Sequence, residues 1–473
     1  MASRERLGGC LDDRRWKERV LDQTYAGVNE LAAAGRYPFP TGPDGSQLRN
    51  GLQGPEYMRR MRIRVQRAGA RILDHSPVTE LLTDPSGAPA GARGWRRQAG
   101  ETYRVRAGAV AVATGGCSFL SGALGCNVNT DDGALLAAET GAELSGMEFS
   151  NAYGIAPEGT SVTKTAFYSF ATFYRADGTV LESAASQGGR SVIARTLLHE
   201  KVYCRIDRAD DQARRAMRLA QPNFFLPFDR LGIDPFTERF AITLLAEGTV
   251  RGTGGIRITG DDCSTTVPGL YAAGDATTRE LICGGFTGGG SHNAAWAISS
   301  GTWAGKGAAR HALSLGFRAA TRRLQPTGGT GLRPTGTPGS EGAHRDVIAS
   351  VQAEVLPYDR NYRRHGNTLA ASLTALNAIW REARATLHAS GADVVRAREA
   401  AAMAAHARWM YASALARTES RGMARRLDFP EQDPLQRHRI VSGGLDEVWS
   451  RPEPVPVPAR LPTGPAAVPE AAW

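Results

Sequence analysis

Two neighbouring segments in the second half of the chain constrain its fold most. VPGLYAAGD (267–275) is a short apolar strand that ends in Gly274-Asp275. About ten residues later CGGFTGGGSHNAAWAISSG begins, in which five glycines feed a helix starting near Ser291. A buried strand closing on glycine, followed by a helix whose entry is nearly free of side chains, reads as a layered α/β arrangement built to approach a ligand closely. Asp275 at the strand end can accept hydrogen bonds from sugar or ribitol hydroxyls. Backbone N–H groups at Gly289, Gly290 and Ser291, with the helix running on through Ala297 and Ile298, can stabilise negative charge. Glycine-rich turns are common, so each segment alone says little; the two together are specific.

Two further segments fall in with them. GAVAVATGG is a small-residue strand ending in Thr114-Gly115-Gly116, where the backbone can run under a bound dinucleotide; a plain strand-to-turn junction explains it equally well. Thr130-Asp131-Asp132-Gly133 opens a short helix closed by Gly141, and helix capping is the ordinary role of aspartate there.

Composition narrows the class. The net charge of +10 is nearly all arginine, because lysine occurs only at 17, 164, 201 and 306. No Lys/Arg block is interleaved with aromatics, so no nucleic-acid partner is expected. The six cysteines, Cys10, Cys117, Cys126, Cys204, Cys263 and Cys283, never form C-x-x-C, which suits reduced thiols in a cytoplasmic protein and no metal site. No apolar leader or membrane-length apolar run is present, so no membrane insertion is expected.

Helices are expected at 14–34, 54–68, 190–203, 345–356, 367–389 and 392–417, and strands at 70–74, 78–83, 90–95 and 102–106. Residues 167–174 are aromatic and suit a core or an apolar substrate wall. PTGGTGLRPTGTPGSEG (326–342) is a linker by composition, and the Pro/Ala-rich tail from 452 is expected to be partly disordered.

The order ATGG, TDDG-x-x-x-A-A-E-T-G-A, GMEF, GTGGI, VPGLYAAGD, glycine-rich helix entry and RTESRG (417–422) resembles the fumarate reductase/succinate dehydrogenase flavoprotein family over about residues 14–435. The adenylylsulfate reductase flavoprotein is a relative with similar organisation. The resemblance implies an α/β fold: a doubly wound FAD-binding domain, here incomplete, with an inserted α+β capping domain and a C-terminal helical domain. The implied boundaries are 1–148 and 250–322 for the FAD-binding parts, 149–249 for the cap, 323–344 for a linker, 345–435 for the helical domain and 436–473 for the tail. It implies FAD as cofactor, a small-molecule substrate and an electron-transfer partner. Glu419 and Arg421 are expected to make structural hydrogen bonds between the helical and flavin domains.

The family's pyrophosphate-binding G-x-G-x-x-G turn does not occur in this sequence. The unit is therefore expected in frame upstream of Met1 or on a separate N-terminal polypeptide; the remaining alternative is a chain without flavin or activity.

The resemblance also implies where substrate chemistry sits. GGRSVIARTLLHE matches the family's helix start that carries its proton-donating arginine, placing that role on Arg190, although a solvated helix-start arginine fits as well. The family's cap-proximal histidine falls on Tyr153, a second histidine on Val250, and the carboxylate-clamping arginine nearest His292, with Arg251 close enough to supply a displaced cation. These departures argue against fumarate or succinate and for a different carboxylate-bearing substrate.

Overall fold

The computed structural model describes residues 2–455 except 36, 43, 50, 51, 53, 164, 165, 287 and 288. Helix Arg14–Ala33 is capped by the Asp13 carboxylate, which accepts from the Arg15 N–H, and it buries Trp16, Val20 and Leu31. Trp16 meets Trp296 and Trp303 edge-on at 5.8 and 5.6 Å, so this helix lies along the Gly289–Leu315 helix.

Strands Val110–Val112 and Leu270–Ala272 pair in parallel, with Leu270 opposite Val110 and Ala272 opposite Val112, and form a sheet of their own among the described residues. The Val110 N–H donates to the Gly269 carbonyl, and the Ala273 N–H to the Val112 carbonyl. Strand alternation turns the backbone groups of Ala111 to the opposite edge, where that residue is exposed. The expected doubly wound sheet is thus present but small. Helix Asp132–Ala138 sits behind it: Gly133 packs so closely on Thr114 and Val112 that a side chain there would collide with both.

Three antiparallel sheets surround this centre. One orders Gln325–Pro326, Val78–Thr83, Pro89–Arg96 and Glu101–Arg106. Another orders Gly255–Ile256, Leu144–Ser145, His438–Gly443 and Trp449–Pro454. The third, Ala152–Pro157, Phe240–Glu247, Val202–Arg205 and Thr172–Tyr174, carries a separate core that includes Tyr168, Phe173, Phe224, Phe225 and Phe228. The aromatic stretch 167–174 serves this core.

The long C-terminal helices close the main core. Gly366–Thr386 buries the stripe Leu369, Leu376, Trp380 and Ala383. Asp393–Ala416 is buried on every side, and its alanines let neighbouring helices approach. No helix among the described residues is long and apolar enough to cross a membrane.

Several local expectations are corrected. Residues 70–74 form no strand. The helix from Arg190 stops at Leu197, and a strand follows at Val202–Arg205. The composition of 326–342 suggested a free linker, but buried Glu80 needs donors and takes them from the Gly328 N–H and the Arg333 guanidinium, which ties the segment down. Trp449–Pro454 is a strand, and 456–473 lie outside the described residues.

A buried ionic network ties four segments together. Arg417 donates to Glu148 at 2.7 Å and to Glu419 at 2.8 Å, and all three side chains are at most 1% exposed. Arg421 donates to Glu419 at 2.6 Å and to the Gly9 carbonyl at 2.5 Å. Arg421 makes the expected bond across to the N-terminal part through Gly9, whereas Glu419 bonds, among the described residues, only Arg417, Arg421 and the Asp433 N–H and acts by fixing those arginines. Beside them Glu280 accepts from Ser145 and Thr278, while Glu148 Oε2 and Glu280 Oε1 are buried with no hydrogen-bond partner among the described residues.

Two outcomes follow from this network. Arg417→Ala strands Glu148 without its cation and takes one of two from Glu419, which keeps Arg421, so urea unfolding should show a loss of about 3–5 kcal/mol; a loss under about 1 kcal/mol would count against the network. Burial, followed by the charge of Glu148, pushes the Glu280 carboxyl from 4.5 up to about 7. A folded-state value above the unfolded one means that the native state holds the proton more tightly. The stabilisation is full below the unfolded value and is lost as pH rises through the folded one. Unfolding free energy should therefore fall by about 3 kcal/mol between roughly pH 4.5 and pH 7.5, and Glu280→Gln should flatten that slope. An unchanged slope in the variant would overturn the assignment.

Candidate active site

Parallel pairing sets the C-terminal ends of two strands side by side, which brings Thr114-Gly115-Gly116 next to Gly274-Asp275. Thr114 is exposed; Gly115 has φ +83°, a left-handed conformation, and faces the Asn129 side chain. The Gly289–Leu315 helix locks onto this shelf. The Gly274 N–H donates to Ser300 Oγ at 2.9 Å, and Trp296 Nε1 donates to Thr277 Oγ1 at 2.8 Å. Ala297 is exposed and lies opposite Gly274, with Ile298 beside it half-buried. Gly289, Gly290 and Ser291 open the helix; beyond that backbone assignment they lie outside the described residues.

Asp275 keeps a quarter of its side chain exposed, and its Oδ1 is paired with Arg279. Arg279 was not singled out from the sequence. Its side chain is 1% exposed, and it also donates to the Thr249, Val250 and Gly252 carbonyls. Its only sequence signal is an arginine set between Gly-Asp and the glycine loop. Asn293 likewise donates to the Val250 carbonyl at 3.0 Å, tying the first turn of the long helix to the same segment. Gly8, also missed, accepts from the Gly285 N–H at 2.9 Å and so supports the glycine loop from below.

The T-D-D-G set behaves differently from the shelf. The Asp131 N–H donates to the Gly116 carbonyl, but its carboxylate is buried against His406 of the C-terminal helix at 2.5 Å. Burial raises the Asp131 carboxyl, and the charge of His406 opposes that rise. Thr130 Oγ1 donates to Asp132 at 2.6 Å. These are corrections: Asp131 and Asp132 spend their carboxylates inside the protein, and Asp131, although at the helix N-cap, makes no side-chain cap bond. With Gly133 they position the Thr114 strand end and leave the shelf itself to Thr114, Gly115 and Gly116.

At the base of the cap, Arg190 begins its helix with no side-chain cap before it and donates to the Tyr153 and Ser186 carbonyls, both at 2.8 Å. Its Nε is buried without a hydrogen-bond partner among the described residues. Tyr153 corrects another expectation. Its hydroxyl donates to the Val355 and Leu356 carbonyls at 3.1 Å, and burial pushes its phenol far up, so it positions Arg190 through its carbonyl and exposes no acid of its own. Arg251 is partly exposed and lies 3.7 Å from Glu247, which also accepts from Thr163. His292 is half-buried in the first turn of the long helix. Arg251 and His292 thus adjoin the Val250 segment, the first in sequence and the second through its neighbour Asn293, whereas Arg190 is tied to the Tyr153 and Ser186 carbonyls. No group of three or more His, Cys, Asp or Glu side chains able to hold a metal occurs among the described residues.

Comparison with known proteins agrees with this geometry. Residues 357–447 match the family model described as fumarate reductase flavoprotein C-term. The L-aspartate oxidase of Streptomyces coelicolor (strain ATCC BAA-471 / A3(2) / M145) is 28% identical over 418 residues, covering 82% of this chain and 69% of that protein. Among solved structures, a variant of the FrdA chain of E. coli quinol fumarate reductase superposes with a TM-score of 0.76 at 18% identity, covering 97% of this chain and 87% of that one. Mycobacterium smegmatis Sdh1 in complex with UQ1 gives 0.74 at 21% identity, covering 97% and 84%. The adenylylsulfate reductase of Archaeoglobus fulgidus gives 0.66 at 16% identity, covering 93% and 83%. The chain shares the fold of these flavoproteins, and its residues 357–447 match the fumarate reductase flavoprotein C-terminal model.

Proposed function

We propose that this chain is the FAD-bearing part of an oxidoreductase acting on a carboxylate-bearing substrate other than fumarate. The observation that carries this reading is the shelf where two parallel strand ends and the Gly289–Leu315 helix converge. Its residues fit the cofactor. Gly115 in the left-handed region and exposed Thr114 leave backbone open to a flat ligand, and the exposed part of Asp275 suits ribityl hydroxyls. When bound, FAD supplies the hydride acceptor or donor at N5.

The chain's own residues do the rest. Arg190 faces the substrate space from the cap and is the group proposed to hand a proton to the carbon next to the one that exchanges hydride. Arginine is a weak acid, with a pKa above about 12 in water, so the step depends on how firmly Arg190 is oriented, and the Tyr153 and Ser186 carbonyls fix its two outer nitrogens. Arg251 and His292 are proposed to contact substrate carboxylate. Val250 leaves an apolar surface where a histidine is usual in the family, which favours a substrate other than fumarate. The relative named L-aspartate oxidase makes L-aspartate the first substrate to assay, with an electron-transfer protein or a soluble acceptor taking the electrons.

The test is direct. The protein purified from its full reading frame should be yellow and should oxidise L-aspartate or another small carboxylate with an artificial acceptor. Arg190→Ala should lower kcat by about 100-fold or more with flavin content unchanged. A colourless protein after incubation with FAD would sink the reading.

A further inference from the structure

The helix Asp393–Ala416 is rich in alanine, yet two of its polar side chains grip one short helix. At one end His406 Nδ1 lies 2.5 Å from Asp131 Oδ2, with both side chains at most 2% exposed. At the other, Arg398 donates from both outer nitrogens to Glu139 at 2.8 and 2.6 Å, with both side chains at most 3% exposed. Asp131 and Glu139 bracket the helix Asp132–Ala138. On each helix the gripping residues are eight apart, about 12 Å of helix length, so the two helices run antiparallel with both ion pairs in register.

Only the His406 end meets the shelf. The Asp131 N–H donates to the Gly116 carbonyl at 3.2 Å, and the Ser118 N–H to the Asn129 carbonyl at 2.9 Å, which laces the segment leaving Gly115-Gly116 to residues 129–131. Phe119 follows on that segment, and its ring meets His406 edge-on at 5.2 Å. His406 therefore reaches the shelf's exit by two routes, through Asp131 and through Phe119.

The backbone of Asp131 shows what its side chain is for. Its φ is +64° and its ψ 31°, the left-handed region that glycine adopts freely and a residue with a Cβ adopts under strain. It makes no cap bond to the helix it precedes, so capping does not account for an aspartate there. Among the described residues its carboxylate has one hydrogen-bond partner, His406, whose Nε2 is buried without any.

We propose that Asp131 and His406 are positioning residues for FAD: through them the C-terminal helix fixes the Gly115-Gly116 backbone and sets the affinity for the cofactor. This rests on the flavoprotein reading and deepens it. Both side chains lie behind the shelf and act through the Gly116 carbonyl. The Arg398–Glu139 pair holds the far end of the same helix and serves stability alone.

The test titrates FAD into the protein from the full reading frame, following loss of flavin fluorescence, and measures urea unfolding on the same preparations. Asp131→Gly should weaken FAD binding by about tenfold or more, although glycine relieves the backbone strain. Asp131→Asn tolerates the same backbone and keeps a neutral hydrogen bond to the imidazole, so its affinity should fall between wild type and Asp131→Gly. Arg398→Gln should lower the urea midpoint at least as far as Asp131→Gly while leaving FAD affinity within about twofold of wild type. Wild-type FAD affinity in a folded Asp131→Gly protein overturns the proposal. So does an Arg398→Gln protein that loses FAD affinity as strongly as Asp131→Gly, because the two pairs are then equivalent struts. If Asp131→Gly does not fold, Asp131→Asn decides: affinity equal to wild type counts against the positioning role, and weakened affinity supports it. A wild type that takes up no FAD removes the flavoprotein reading and the positioning role with it. A wild type that binds FAD, with both Asp131 variants binding equally well, removes the positioning role alone.

Discussion

One buried guanidinium, Arg417, holds the architecture in register. It reaches Glu148 in the turn before the cap, Glu419 in its own loop, and the His438 carbonyl at the start of a sheet strand. Through Glu419 it also fixes Arg421, which grips the Gly9 carbonyl. Moving such charges out of water costs several kcal/mol per ion unless every one is paired. The arrangement is therefore tolerated only when all four segments are in place together, and partial assembly leaves an unpaired buried charge. Hydrophobic packing alone is less selective, because apolar surfaces tolerate small slips that ion pairs with fixed geometry do not.

The network also sets the glycine loop. Gly8 and Gly422 both press on it, one against Cys283 and Gly284 and the other against Gly285. Arg437 and Arg439 hold the Cys10 and Leu11 carbonyls, extending the grip along the N-terminal segment. The loop that feeds the Gly289–Leu315 helix is thus fixed from two sides by backbone contacts. Glycine is required on both sides because a Cβ at either position would collide with the loop backbone.

What could be read from the sequence was local. The strand ending in Gly274-Asp275 and the helix beyond it depend on short-range apolar patterning and glycine placement, and both stand as expected. The apolar stripe of Gly366–Thr386 is legible for the same reason. Asp131 was not, because its burial is decided by His406, which is 275 residues away in sequence. Tyr153 failed similarly: a tyrosine at a site-like position is indistinguishable in sequence from one whose hydroxyl ends on helix carbonyls. The 326–342 segment has linker composition, yet one buried carboxylate, Glu80, organises it. In each case a buried polar group found its partner through tertiary contact, which residue patterning does not encode.

Arg279 links the two halves of the site. It neutralises Asp275 at the strand-end shelf and holds the Thr249, Val250 and Gly252 carbonyls at the foot of the cap. A displacement of the cap base would pull those carbonyls from a guanidinium that has no water to replace them, because its side chain is almost wholly buried. A displacement of Asp275 would leave the same cation unneutralised. The two movements therefore share one energetic penalty, so the distance between shelf and cap base is stiff even though the cap has its own core. Hydride transfer between a bound ring and a substrate carbon needs such stiffness, because its rate depends on holding the reacting atoms within a few tenths of an ångström of contact.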